Sequence, residues 1–408
     1  MNQNRNRQPH FVVLGVAFVC SGFASALWAD DVTPSRRVES FVVVREEPSL
    51  ASDQVGELHR NQRAELLERV PRWYRVRLED GTTGFVSKSW VRVEKDLADR
   101  QSNELRVHFL NIGAGTCTVV ECPGQDAPPM VIDCGSLGGT ENDMTRDEAK
   151  IHIQAILGQH TESPNVVLSH ADQDHYGWIP EVLKDTRVTH IWQGGDPEQY
   201  SELNFPEWLV ERAAEGSIVH SGFDADFSND GRPLANGLSC GDAETFILTL
   251  NTGSSRNSES LVLLIEYKDF VAIFTGDAEG STESAAIRNF PEGVKATVLS
   301  GSHHGASTHG SNGPNWARET APDVTIYSAG RRFFHPRCAA VEAYGGLAGT
   351  REHDTQCGDS GAYRPVETST GAQYMTEING RIIVTSDGES PLWLHCSRGA
   401  GCGVPIPH

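Results

Sequence analysis

The stretch "SHADQDH" places His170, Asp172, Asp174 and His175 within six consecutive positions. Imidazole and carboxylate groups are the ordinary ligands of zinc, manganese and iron. The H-x-D-x-D-H spacing crowds four of them at the end of the apolar run "NVVLS", which reads as a buried strand. Sites commonly form where such strands exit. A bound divalent ion acidifies a water molecule and neutralises charge on a phosphoryl or carbonyl oxygen, so the chemistry on offer is hydrolysis. Other ligand types follow downstream: Asp277 in "FTGD", His303 and His304 in "SGSHHGAS", and His335 in "FFHPRC". Each also has a bland reading, Asp277 as a turn carboxylate and the histidines as packed side chains. Arg331, Arg332 and Arg337 flank His335 and read either as phosphate contacts or as surface charge.

The 408-residue chain is long enough for two domains and a large core. Its first residues, 1–29, read as a signal peptide: Arg5 and Arg7, then "FVVLGVAFV", then small residues with a cleavage-type site at Ala24–Ala26. The apolar centre is shorter than the roughly 20 residues a membrane span needs. A secreted or periplasmic location follows, with no integral membrane segment once the leader is gone. Besides Cys20 there are Cys117, Cys122, Cys134, Cys240, Cys338, Cys357, Cys396 and Cys402. An even set in an exported chain suggests disulfides, with Cys396 to Cys402 and Cys338 to Cys357 as the expected pairs. The net charge of −21 opposes non-specific binding of nucleic acid, so a polyanionic substrate must be held by metal or local positive charge.

Residues 38–93 alternate short strand-like runs with turn residues, and "EDGTTG" reads as a hairpin turn. A small all-β barrel is the simplest arrangement. The pattern resembles bacterial SH3-like domains at Val44, Arg45 and Pro48, at "VGEL", at "WYRV" and at "GTTGFV", where Phe85 replaces the usual tryptophan. The resemblance implies either a module that binds a cell-wall peptide or protein partner or a packing module with no ligand. Residues 94–104, "EKDLADRQSNE", read as a linker. From 105 strands alternate with helical patterns, and "GAQYMTEINGRIIVTSD" reads as a closing hairpin turning at Asn379–Gly380.

The region 105–395 resembles the metallo-β-lactamase superfamily, whose signature is H-x-H-x-D-H, and within it the ComEC-like branch, where aspartate replaces the second histidine. "LRVHFLNIGAG", "MVIDCG", "NSESLVLLIEYKDFVAIFTGD", "VLSGSHHGAS" and "YSAGRRFFHP" resemble further elements of that branch in order, although Asn111 stands where aspartate is usual. The resemblance implies an α+β fold, a metallo-β-lactamase αββα sandwich preceded by the SH3-like barrel, with 396–408 as a C-terminal tail.

It also implies two divalent metal ions, zinc or manganese, sharing a bridging hydroxide. His170 and Asp172 would hold one ion; Asp174, His175 and His303 the other; Asp277 would bridge them. His303 is preferred to His304 because it lies nearer the strand end. Asp174, His304 and His335 are the expected catalytic groups, His304 either supporting the ligands from behind or facing substrate, and His335 facing substrate or donating a proton. Dinuclear relatives place a further histidine before "LVLLIEY"; here "NTGSSRNSES" has none, and His190 and His220 read as structural. The expected function is that of an exported metal-dependent phosphodiesterase or nuclease acting on a phosphodiester such as DNA. The alternatives are a phosphocholine esterase, lactonase or β-lactamase on the same fold, or a non-catalytic protein binding the cell wall or a partner.

Overall fold

The computed structural model describes residues 31–408 except 36, 37, 39, 61, 95–103, 125, 222–237, 291, 292, 346–355, 360, 366–371, 390, 400, 401, 403, 404, 407 and 408. The segment 1–29 expected to be a leader and nearly all of the expected linker, 94–104, therefore lie outside the described residues. Among the described residues no helix is long and apolar enough to cross a membrane.

The N-terminal unit is a curled seven-stranded sheet. In Trp73–Arg77 the alternation seen in sequence turns Tyr74 and Val76 inward and Arg75 and Arg77 outward. Tyr74 and Val76 meet Val44, Leu58 and Val86 in the barrel core. The "EDGTTG" turn joins Trp73–Arg77 to Thr83–Ser87 as an antiparallel pair. The barrel begins earlier than residue 38: Asp31–Pro34 pairs with both Ala64–Val70 and Val91–Glu94. Four residues carry too little alternation to announce a strand.

Arg72 fastens this barrel to the body. It sits in the turn between Ala64–Val70 and Trp73–Arg77, and its guanidinium leaves the barrel to reach Glu266 Oε2 at 3.1 Å and the Gly293 carbonyl at 2.6 Å. The same group lies 4.5 Å from the ring centre of Phe290. Only 4% of the side chain is exposed, so the ion pair is fully desolvated.

The body is two facing sheets with helices on both outer sides. Nine strands form the first: Ile218–Ser221, His190–Gln193, Asn165–Leu168, Met130–Ser136, Gly115–Glu121, Leu105–Phe109, Ile382–Ser386, Leu392–Cys396 and Pro405–Ile406. Six form the second: Glu244–Thr249, Val262–Tyr267, Phe270–Phe274, Val298–Ser300, Val324–Tyr327 and Ala372–Met375. Side chains such as Phe109, Ile132, Leu263 and Phe274 fill the space between them. The helix Arg146–Leu157 starts at a capping box made by Thr145 and Glu148 and buries Ala149, Ile153, Ile156 and Leu157, one stripe at helical spacing, on the first sheet. Gly280–Asn289, Pro314–Thr320 and Cys338–Tyr344 cover the second. This is the expected αββα sandwich.

Two expectations fail. The segment read as a closing hairpin is a crossover: Ala372–Met375 lies parallel to Val324–Tyr327 in the second sheet, whereas Ile382–Ser386 pairs with Leu105–Phe109 in the first. Between them a helical turn, Thr376–Asn379, ends at Gly380 with φ 68° and ψ −145°, a conformation only glycine adopts easily. The Asn-Gly pair thus serves a helix end. Nor is 396–408 a separate tail, because Pro405–Ile406 pairs with Leu392–Cys396 as the sheet's last strand. Among the described residues there are four disulfides: the expected Cys338–Cys357 and Cys396–Cys402, and also Cys117–Cys134 and Cys122–Cys240.

Candidate metal centre

The cluster lies at one end of the sandwich, where strands of both sheets exit. Asn165–Leu168 is wholly buried and ends at Ser169, so His170 leaves the sheet at full depth. Asp172 then stands at the N-cap of the short helix Gln173–Tyr176, which turns Asp174 and His175 inward. Asp277 follows Phe270–Phe274 through Gly276, whose φ is +54°. A Cβ at Gly276 would sit 2.5 Å from the Ser169 side chain, so only glycine lets the two exits approach. The Asp277 amide donates to Ser260 Oγ at 3.1 Å.

The "SHHG" turn after Val298–Ser300 supplies His303 and His304, both left-handed at φ 49° and 57°. Asn312 braces this turn by donating from Nδ2 to the carbonyls of Ser302 and Ala306, each at 2.7 Å. Its amide donates to Glu283 at 2.7 Å, and Tyr344 donates to its Oδ1 at 3.0 Å. Two successive histidines at positive φ need such support.

Outer contacts aim the imidazoles. Asp133, in a bulge of Met130–Ser136 and itself at φ 50°, accepts the Ser169 amide and hydroxyl at 2.7 Å each and lies 2.9 Å from His175 Nδ1. His304 Nδ1 donates to the Ser328 carbonyl at 2.7 Å. Each contact leaves Nε2 facing the cluster, the usual orientation of a metal-bound histidine. His175 Nε2 is 2.9 Å and His304 Nε2 3.4 Å from Asp277 Oδ1, and His304 Nε2 is 3.6 Å from Asp174 Oδ2. On the other side His303 Nε2 is 3.4 Å and His170 Nε2 3.9 Å from Asp277 Oδ2, while His170 Nε2 is 3.6 Å from Asp172 Oδ2.

These groups fit divalent ions. Two ligands of one tetrahedral zinc ion stand about 3.4 Å apart. The Nε2 atoms of His170 and His304 are buried without a hydrogen-bond partner, and His175 Nε2 and Asp277 Oδ1 are buried with no group nearer than each other at 2.9 Å. Buried polar atoms left this way are costly unless a cation takes them up. The ligand atoms of Asp174, His175 and His304 all fall within 4.8 Å of one another, as do those of His170, His175 and Asp277.

The electrostatics agree. Burial opposes charge on His175, yet Asp277 and Asp133 raise its pKa well above the ordinary value. Burial also opposes charge on Asp277, and His303, His175 and His304 hold it well below the carboxylate range. Burial pushes Asp172 up, but its contacts with His170 and Arg256 bring it down to about 2. A cavity of this kind calls for positive charge at its centre, which a metal supplies in place of protons.

All six expected metal ligands therefore meet at one place, with one change of order. The expectation set His303 ahead of His304. The geometry puts His304, not His303, with Asp174 and His175, because the second left-handed residue turns its ring inward. His303 faces the opposite oxygen of Asp277, beside the Asn257 amide at 3.3 Å. His335 is buried with its ring 6.3 Å from that of His304 and 5.8 Å from that of His303. Burial, with the two neighbouring histidines, lowers its pKa to about 3, so it lines the cleft as a neutral imidazole. His190 and His220 pair with each other at 3.0 Å on the outer strands of the first sheet.

The cluster opens into a cleft of about 500 Å³ lined by Asp172, Arg256, Phe333, His335 and Arg337 among others. Of the three arginines flanking His335, only Arg337 lines it. Arg331 is bound to Glu377 at 2.5 Å and Arg332 to the Leu137 carbonyl. Sequence reasoning missed Arg256, which donates from Nη1 to Asp172 Oδ1 at 3.0 Å. Its signal was available as the one basic residue in the histidine-free segment "NTGSSRNSES".

Residues 40–92 match the Bacterial SH3 domain family. The chain is similar to ComE operon protein 3 of Bacillus subtilis (strain 168), with 26% identity over 247 residues, 58% of this chain and 30% of that protein. It thus spans less than a third of that relative's length. Among solved structures it is similar to CmlA, a diiron beta-hydroxylase from Streptomyces venezuelae, at 16% identity and TM-score 0.33, covering 62% of this chain and 48% of that one. It is also similar to Igni18, a metallo hydrolase from the archaeon Ignicoccus hospitalis, at 14% identity and TM-score 0.32, covering 64% and 99%. The domain match bears out the bacterial SH3-like reading of the N-terminal unit. The similarity to ComE operon protein 3 agrees with the ComEC-like resemblance of the body.

Proposed function

We propose that this SH3-bearing, ComEC-like chain is an exported metal-dependent hydrolase of phosphodiesters, with single-stranded DNA as its substrate class. One observation carries the reading: buried imidazole nitrogens of His170, His175 and His304 converge on Asp277 at the floor of an open cleft. His170, Asp172, Asp174, His175, Asp277, His303 and His304 would hold two divalent ions. Bound there, the ions would supply an acidified water and neutralise charge on the phosphoryl oxygens. Zinc suits the histidine-rich set, and Asp172 makes manganese a competitor.

The chain's own residues do the rest. Asp277 turns Oδ1 toward His175 and His304 and Oδ2 toward His303 and His170, and would hold both ions. Asp133 and the Ser328 carbonyl hold His175 and His304 in the ligating tautomer. Arg337 presents a guanidinium to a phosphate at the cleft. His335, neutral and buried, offers a hydrogen bond beside the reacting phosphate. Phe333 is 40% exposed at the cleft, a position suited to stacking a nucleobase.

Export is supported by the four disulfides, which persist in oxidising compartments. The barrel would be the module that meets a cell-wall peptide or protein partner. The test is metal-stripped protein reloaded with zinc or manganese and offered single-stranded DNA, bis(p-nitrophenyl) phosphate, a lactone and a chromogenic β-lactam. Turnover of the first two alone supports the reading; turnover of the lactone or β-lactam alone overturns it.

A further inference from the structure

Residues 251–260 connect Glu244–Thr249 to Val262–Tyr267 and lie against the metal cluster. Three of their side chains reach it. Ser260 Oγ lies 3.4 Å from His170 Nδ1, the Asn257 amide lies 3.3 Å from His303 Nε2, and Arg256 donates to Asp172 Oδ1. The Arg256 guanidinium therefore occupies one oxygen of Asp172, which among the described residues is the carboxylate that belongs to the His170 side alone. The two sides of Asp277 differ accordingly. Both sides are compact, His170 with His175 and Asp277 as much as Asp174 with His175 and His304, but among the described residues no arginine touches Asp174, His175 or His304. The outer side, His170, Asp172 and His303, shares Asp172 with a guanidinium.

We propose that Arg256 is a built-in counterion of Asp172 that makes the two metal positions unequal: an inner ion held tightly and an outer ion that binds only by competing with Arg256. This rests on the metal-centre reading above and concerns the order of loading. A divalent ion at Asp172 Oδ2 meets a carboxylate already partly neutralised at Oδ1, and meets the guanidinium's like charge as well. The Arg256 side chain is 56% exposed, so solvent screens the pair and an ion can displace it. The inner position lacks this competitor. Arg256 thus acts through Asp172 as a positioning residue.

The experiment is manganese binding to the metal-stripped full chain, by equilibrium dialysis with elemental analysis, for the wild type and Arg256→Gln. In the wild type one ion is expected to bind at least about tenfold more tightly than the second. In Arg256→Gln the second ion is expected to tighten roughly tenfold and the first to stay unchanged, which also reports an intact fold. Raising the salt concentration is expected to narrow the difference between wild type and variant for the second ion alone, since screening weakens an exposed pair. Two equal sites in the wild type, a single site in both proteins, or an unchanged or weaker second site in Arg256→Gln would overturn the proposal. The titration needs no turnover. A protein that binds both ions as described and cleaves no phosphodiester contradicts the proposed activity and leaves this inference standing.

Discussion

Asp133 Oδ2 lies 2.9 Å from His175 Nδ1, and this contact decides which nitrogen of His175 faces Asp277. The same carboxylate accepts the Ser169 amide and hydroxyl, so it fixes the strand exit and the tautomer together. Asp133→Asn is expected to weaken binding of the inner ion by about 10–100-fold while the fold persists. Metal titration with circular dichroism as a control checks it; unchanged affinity would remove Asp133 from the site's support.

His303 and His304 are adjacent in sequence and face different oxygens of Asp277. His304→Ala is therefore expected to lose the inner ion, whereas His303→Ala keeps it and weakens only the outer one. Elemental analysis after dialysis separates the two variants. Loss of the inner ion in His303→Ala with retention in His304→Ala would restore the order expected from the sequence.

Asn312 makes both side-chain bonds that brace the turn carrying these histidines. Asn312→Ala leaves two buried carbonyls without their donor and is expected to cost about 2–4 kcal/mol of stability. Tyr344→Phe removes one bond to the same side chain and is expected to cost about 1 kcal/mol. Urea unfolding measures both, and equal effects would show that the turn does not depend on Asn312.

Glu283, beneath that turn, is pushed up to about 7 by burial, with the backbone amides of Asn312 and Gly313 pulling the other way. Its folded pKa lies above the unfolded value, so the folded chain binds this proton more tightly. The stabilisation is complete below the unfolded value of about 4.3 and is lost as pH rises through about 7. Relative to Glu283→Gln, the wild type is expected to lose about 3 kcal/mol between pH 4.5 and pH 8. Parallel unfolding curves across that range would contradict the burial effect.

Arg72 and Glu266 form the buried tie between barrel and body. Arg72→Ala leaves Glu266 buried without its partner and is expected to cost about 3–5 kcal/mol of coupling. Calorimetry is expected to resolve separate barrel and body transitions in the variant, against one in the wild type.

The parts of the fold and site that could be read in sequence are those carried by local pattern. His170 to His175 form one segment at a strand exit, so their clustering was visible as spacing. The barrel was visible in the alternation of "WYRVR" and its turn. The order of His303 and His304 was not, because it depends on two left-handed residues that only Asn312 and its neighbours make affordable. Arg256 was missed because its partner Asp172 lies 84 residues away. The Asn379–Gly380 turn was misread because turn residues signal a reversal without telling which sheet receives the next strand. Here Ile382–Ser386 joins the sheet opposite Ala372–Met375.

The most direct measurement is cleavage of single-stranded DNA by the metal-stripped full chain, with and without added manganese or zinc, for the wild type and Asp277→Asn. Cleavage is expected only with metal and only in the wild type, with the variant reduced by about 100-fold or more. Metal-independent cleavage, no cleavage with either ion, or an Asp277→Asn variant as active as the wild type would contradict the assignment of this cluster as a hydrolytic metal centre.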